Sequence, residues 1–423
     1  MPETNLSDLA FWSRPPEQRR AAFTALRARE RPAFFHELKL PFIKSGPGYH
    51  ALVRHADVVE ASRTPGVFSS EPCSNSIADL PPYLARYFGS MINMDDPRHA
   101  KIRRIVSRAF TPRVLAKLET DLQATATRIV DDMLAAGPGG GDFVTDVAAR
   151  LPVQVICDMM GIPEKDRPMV YDRTNIILGI GDPEYTGGRR FAETGITRVG
   201  VLYSLLKALT AGYELNHLAM KLARRRRRAP GDDLVSALIA ANVDGESLTD
   251  QEIGSFFILL VVAGNETTRN AMSHGLKLLT DHPEQRALLT EDFDGRIGGA
   301  IEEILRMATP VIQFRRTVTR DHEMNGRHYK AGDKVLLFYN SANRDEAVFD
   351  DPDAFDITRS PNPHVAFGGP GPHFCLGANL ARREITVMFR ELFTRVPGVR
   401  ADGEPDLLFS NFINGIKHLP FTY

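Results

Sequence analysis

The longest regular pattern in the chain starts at Thr249-Asp-Gln-Glu252, which has the form of a capping box: hydroxyl and carboxylate each take up a backbone N–H at a helix start. Helical periodicity then continues to Asp281-His-Pro283, predicting a helix of roughly 30 residues, about 45 Å long. A helix of that length crosses a whole domain. Its apolar run, residues 256–263, falls far short of the about 20 residues needed to span a bilayer. Residues 113–135 and 143–160 also read as helices, on either side of Gly137-Pro-Gly-Gly-Gly141. No Lys-Ser/Thr follows that cluster and no strand precedes it, so it reads as a flexible connection and not as a phosphate loop. Residues 164–222 are helical in period, with a break at Gly179-Ile-Gly-Asp-Pro-Glu-Tyr185. Residues 1–45 alternate short helical patterns with Pro-rich joints, and residues 69–84 lack a period and predict a long loop. After Thr309 the apolar positions alternate, with a turn at Asn325-Gly326, which suggests β-hairpins.

Two stretches interrupt these patterns with chemistry. Within the long helix, Ala263-Gly264-Asn265-Glu266-Thr267-Thr268 sets a glycine, an acid and two alcohols in an apolar run. Gly264 leaves room for something bulky, and a Thr hydroxyl bonded one turn back loosens a helix. An internally satisfied kink explains the same residues. The second stretch runs from His364 to Glu384: Gly and Pro crowd its first half, and everything after Cys375 has the composition of a helix start. A thiol at such a junction feels the helix dipole and free N–H groups, both of which favour the thiolate, the form that ligates metals. Gly369, Gly371 and Gly377 let the backbone pass close to a flat group. A buried free cysteine beside a Gly-Pro turn is the plainer alternative. A zinc site lacks a second cysteine nearby.

The run Phe367-Gly-Gly-Pro-Gly-Pro-His-Phe-Cys-Leu-Gly377 resembles the haem-binding loop of the cytochrome P450 monooxygenases, whose Cys thiolate is the proximal ligand of haem iron. The aromatic stands eight positions before the Cys, not the usual seven, and this extra glycine resembles an actinobacterial subgroup acting on steroid side chains and methyl-branched lipids. The resemblance implies one mainly α chain, residues 1–423, with small β-sheets (α+β), a β-rich lobe at roughly 40–65 and 310–345, and haem b between the long helix and the Cys375 loop. It implies Glu266 and Thr267 as the acid-alcohol pair that relays protons, with Gly264 giving the haem room. His99 and Arg103, one helical turn apart after Pro97, would reach the propionates together with Arg316 and His373. Taken without the loop, His99 and Arg103 read as a solvated basic face. Gly377 would also face the cofactor. Glu303 and Arg306 would form a structural ion-pair triad with Arg359, although the family often has its arginine where Ala354 stands. Val311, Ile312 and Phe314, with Phe412 and Ile413 from a C-terminal turn, would contact substrate.

Composition fits this picture. Hydrophobic residues make up 43% and charged ones 25%, with a net charge of −1, so there is no basic field for nucleic acid. The first thirty residues hold no apolar run, which predicts neither signal peptide nor membrane anchor. Three scattered cysteines, Cys73, Cys157 and Cys375, predict a reducing cytoplasm and no disulfide framework. The five arginines Arg224–Arg228 read as a solvated helix end. No flavin or nicotinamide fingerprint accompanies the loop, so the resemblance implies electrons from a ferredoxin and its reductase. Arg103, Arg104, Arg382 and Arg383 are the expected docking face. A monomer is expected, and O2 and a hydrophobic substrate complete the reactants; terpenoids, fatty acids and macrolide-type intermediates are the alternatives to steroids and branched lipids. A non-catalytic haem-thiolate sensor would not need the acid-alcohol pair.

Overall fold

The computed structural model describes residues 5–42, 45–88, 90–107, 110, 112–137, 139–186, 197–243 and 246–423. In chain order, the elements that matter for the site are α1 (Pro16–Arg27), β1 (Ala33–Phe35), β2 (Tyr49–Leu52), α2 (His55–Arg63), β3 (Phe68–Ser69), α3 (Arg98–Ser107), α4 (Pro112–Ala135), β4 (Gly141–Asp142) and α5 (Arg150–Met160). Then come α6 (Arg167–Leu178), α7 (Pro183–Thr186), α8 (Arg198–Arg228), α9 (Asp250–Asp281), α10 (Phe293–Ala308), β5 (Gln313–Val318), β6 (Lys334–Phe338), α11 (Ala378–Arg395), β7 (Asp406–Leu407) and β8 (Ile416–His418).

The long helix is α9. Its capping box forms as the sequence requires: the Thr249 hydroxyl accepts from the Glu252 N–H, and the Glu252 carboxylate accepts from the Thr249 N–H at 2.8 Å. Most of α9 is buried, because α5, α6, α8, α10 and α11 surround it. Phe257, Leu276, Ile304, Met388 and Phe389 join one continuous core through these helices. Each such side chain contributes about 1.5–3 kcal/mol by leaving water.

The β-lobe is a five-stranded sheet in the order β1-β2-β6-β5-β3. Antiparallel β5–β6 pairing sets Arg316 opposite Val335 and Phe314 opposite Leu337. A separate core of Phe11, Trp12, Phe23, Tyr49, Leu336 and Phe338 sits beneath it, built partly from N-terminal residues. The sheet thus reaches beyond the expected 40–65 and 310–345, taking in residues 33–35 and 68–69. The irregular segment after β3 ends at Pro82, where a helix Pro82–Tyr87 begins inside the stretch expected to be loop up to residue 84. The helical stretch 143–160 opens with a π turn, Val144–Ala148, before α5.

The break at residues 179–185 separates α6 from α7; residues 187–196, within the expected helical stretch, lie outside the described residues. Arg224–Arg228 form the last turn of α8, and Arg226 and Arg227 pair with Asp233 and Asp250. Among the described residues no helix is long and apolar enough to cross a membrane.

Candidate active site

Cys375 stands where the glycine loop meets α11. Its N–H donates to the Phe367 carbonyl at 2.9 Å, closing the loop on itself. The glycines have particular neighbours: a Cβ at Gly369 would collide with the Ser62 side chain, and one at Gly371 (φ +158) with the Ser62 carbonyl of α2. At Gly377 an added Cβ would meet nothing within 4 Å, so space opens beside the sulfur. Cys375 is exposed by surface area yet deeply set. Burial pushes its thiol up, while the N–H groups of Gly377 and Ala378 and the charges of Arg103 and Arg382 act the other way.

Beside the loop lies a group of basic side chains. Arg316, buried in β5, donates to the carbonyl of its own neighbour Arg315 at 2.8 Å, and among the described residues no carboxylate pairs with it. Burial lowers its pKa. His99 is buried with Nδ1 3.4 Å from Asp96 and Nε2 without a partner. Its ring lies 4.2 Å from that of His373, whose Nε2 is 3.0 Å from the Ser70 hydroxyl. His373 is pushed down to about 2 by burial and by Arg316, His99 and Arg103. Arg103 commits one arm to the Phe374 carbonyl at 2.6 Å, an anchor for the Cys loop that the sequence did not suggest.

On α9, Ala263 is exposed and Thr267, four residues on, is half-buried, so one face of an otherwise covered helix stays open. The Thr267 hydroxyl donates back to the Ala263 carbonyl at 2.7 Å. Gly264 faces elsewhere: a Cβ there would lie 3.2 Å from Ile156 of α5. The glycine therefore lets α9 and α5 pack closely. Glu266 is buried and ion-paired with Arg269, one oxygen remaining without a partner. Burial raises its pKa, and Arg269 opposes that rise. Arg269 in turn donates to Asn175 of α6 at 2.8 Å. The spacing of Glu266 and Arg269 was a readable signal that the sequence analysis passed over; the bond to Asn175 was not readable.

The C-terminal turn meets the start of β5. Val311 bridges Ile413, the Ile312 N–H donates to the Phe412 carbonyl at 2.8 Å, and the Phe314 and Phe412 rings meet edge-on at 5.5 Å. Val311, Phe314 and Phe412 are partly open. Ile312 and Ile413 are 1% and 2% exposed, and Ile312 packs in the N-terminal core.

A sequence model of the cytochrome P450 family matches residues 214–395. A methyl-branched lipid omega-hydroxylase of Mycobacterium tuberculosis is 48% identical over 423 residues, all of this chain and 95% of that protein. The chain belongs to the cytochrome P450 family. A steroid C26-monooxygenase of Mycolicibacterium smegmatis is 40% identical over 381 residues, 89% of this chain and 84% of that one. Among solved structures, a Mycobacterium marinum cytochrome P450 in complex with pseudoionone superposes with a TM-score of 0.91 at 42% identity, covering 99% of this chain and 98% of that one.

As a P450 the chain is a monooxygenase of hydrophobic substrates, and its cofactor is haem b. The residues fit that cofactor. Haem b carries two carboxylates; Arg316 is a buried cation that no carboxylate pairs with among the described residues, and His99 Nε2 is a buried ring nitrogen without a partner. The open face at Ala263 and Thr267 and the open space at Gly377 leave the cofactor its plane.

Elsewhere in the P450, Glu303 and Arg306, both 0% exposed, form a two-pronged pair at 2.7 and 2.8 Å. Arg359 Nε lies 3.3 Å from Glu303 Oε1, while Ala354 offers its carbonyl to Arg306 at 2.9 Å. Of the arginines expected to dock a partner, Arg382 forks onto Glu302 at 2.6 and 2.7 Å and covers the Phe367 ring at 4.5 Å, and Arg383 pairs with Glu119. Arg104 is exposed.

Proposed function

We propose that this P450 hydroxylates the terminal carbon of a methyl-branched lipid. The observation that carries the reading is the 48% identity, along the full chain, to a methyl-branched lipid omega-hydroxylase. A steroid side chain is the second reading, favoured by the 40% identity to a steroid C26-monooxygenase. Both substrates end in a branched alkyl tail, which the apolar, partly open side chains of Val311, Phe314 and Phe412 suit.

When bound, the haem supplies dioxygen activation at iron, with one oxygen atom going into a C–H bond and the other leaving as water at the expense of two electrons and two protons. The chain supplies the rest. Cys375 provides the thiolate, and the N–H groups of Gly377 and Ala378 stabilise its charge. Arg316, His99, His373 and Arg103 hold the propionates. Thr267 offers a hydroxyl on the open face of α9, and Glu266, the nearest buried acid, brings protons to it from the Arg269 side. Val311, Phe314 and Phe412 orient the alkyl tail and exclude water. Electrons come from a ferredoxin that docks where Arg104 is exposed above α3. An Arg104→Glu variant reduced as fast as the parent would remove that docking site.

Optical titration of the ferric protein, first with a methyl-branched fatty acid and then with a cholest-4-en-3-one-type steroid, tests the substrate. A low-to-high-spin shift and a terminal alcohol with the fatty acid are expected. A shift with the steroid alone would transfer the assignment to the steroid side chain. No shift with either, in a haem-loaded preparation, would overturn both readings.

A further inference from the structure

Lys417 of β8 is almost wholly buried, and its ammonium meets three carboxylates: Glu184 Oε2 at 2.8 Å, Asp406 Oδ2 at 3.1 Å and Asp182 Oδ1 at 3.5 Å. Asp182 is itself fully buried. Its Oδ1 accepts from the Glu184 N–H and its Oδ2 from the Phe409 N–H, each at 3.0 Å. Next in sequence, His418 bridges Asp142 of β4 at 2.6 Å and Glu184 at 2.8 Å. Glu184, Asp406 and His418 place ligand atoms within 4.8 Å of one another, as a metal site would. Lys417 already stands against both carboxylates, so the protein itself supplies the positive charge.

The segments that converge on this lysine are the corner after α6 and the C-terminal turn that carries Phe412, read above as a wall of the substrate pocket. Asp182 and Glu184 belong to the corner between α6 and α7, whose Tyr185 feels the charges of Arg269 and Glu266. Asp406 and Lys417 frame the C-terminal turn that brings Phe412 against Phe314. We infer that Lys417 is a positioning residue that ties the α6–α7 corner to the C-terminal turn and so fixes where Phe412 stands and which carbon of the substrate is oxidised. The inference rests on Phe412 as a wall of the substrate pocket. Without the ammonium, Asp182, Glu184 and Asp406 face one another with only His418, beside Glu184, as a counter-charge, and corner and turn are driven apart.

The test uses haem-loaded enzyme and two probes that bind the iron through the same ring, imidazole and dodecylimidazole. Only the second has a tail that reads the pocket wall. The variants are Lys417→Met, Lys417→Arg and the double change Glu184→Gln with Asp406→Asn, whose side chains are partly exposed and spare the buried Asp182. Lys417→Met and the double variant should bind dodecylimidazole at least about tenfold more weakly with imidazole affinity unchanged, and Lys417→Arg should recover most of the loss. The ratio of terminal to subterminal alcohol from a methyl-branched fatty acid should fall in the same order. If Lys417→Met does not fold, the double variant decides. Unchanged dodecylimidazole affinity, or an equal loss for both probes, would overturn the inference. A parent enzyme that ignores the fatty acid would sink the substrate assignment alone, since the two imidazoles still report on Lys417.

Discussion

Two buried charge clusters flank the P450 site, and they are opposites. Around Glu303 both carboxylate oxygens and every donor of Arg306 are matched. Its Oε1 accepts from Arg306, from the Asp356 N–H at 3.0 Å and from Arg359, and its Oε2 from Arg306 and from Asn362 at 3.0 Å. Arg306 spends its remaining donors on the carbonyls of Asn343 (2.9 Å), Pro352 (2.7 Å) and Ala354. Around Arg316 the reverse holds: no carboxylate pairs with it among the described residues, His99 Nε2 has no partner, and His373 is held neutral. A saturated cluster of balanced sign braces the chain, whereas an unsaturated cluster of one sign is a berth for an anion.

That contrast predicts opposite behaviour on mutation. Arg306→Met leaves Glu303 charged and buried without its two-pronged partner and with only Arg359, at 3.3 Å, as a counter-charge, a loss of about 3–5 kcal/mol. Denaturation midpoints of the apoprotein and of the haem-loaded protein should fall together. If only the haem-loaded form suffered, Glu303 would belong to the cofactor site instead.

Arg316→Met should separate the two forms. Removing a buried cation that lacks an anion leaves the apoprotein as stable or more stable by about 1 kcal/mol. Loss of a charge-assisted hydrogen bond to a propionate, about 1.5–3 kcal/mol, weakens haem retention roughly tenfold or more. Haem transfer to an acceptor protein, set beside urea unfolding of the apoprotein, measures both. His99→Phe follows with the same sign and a smaller size, about 1 kcal/mol in haem retention for one neutral hydrogen bond. A destabilised apoprotein in either variant would erase the distinction between the clusters.

How much of this could be read in the sequence follows from how local each interaction is. Capping of α9, the thiol at a helix start and the Glu303–Arg306 pair are all set within a turn or a short loop, and the residues announce them. Gly264 shows the limit. A glycine announces a close approach but not from which side, and Ile156 of α5 supplies it here. The strand pattern after Thr309 likewise says that residues face alternate sides; it does not say that Ile312 faces the N-terminal core with Trp12 and Phe338. The contacts of Ser70 with His373, Asn175 with Arg269 and Asp182 with Lys417 join segments far apart in the chain, and no period or motif encodes them.

His274 offers the mildest test, because it belongs with the satisfied group. It lies on α9 with Nε2 3.0 Å from the Asn414 carbonyl, and it is pushed down to about 4, chiefly by burial. The native state therefore keeps it neutral while the unfolded chain takes up a proton near pH 6.5. Stability from this residue is complete above that pH. It declines as pH falls towards 4, at about 1.4 kcal/mol per pH unit, because the unfolded state binds more protons. Between pH 7 and pH 5 the parent should lose about 2 kcal/mol more than a His274→Gln variant, which keeps a donor for Asn414 but cannot titrate. Urea unfolding at the two values reads this difference. Its size should be the same with and without haem, since His274 bonds the C-terminal turn and not the propionate berth. A difference that vanished on haem binding would move His274 into the cationic cluster and blur the line between brace and berth.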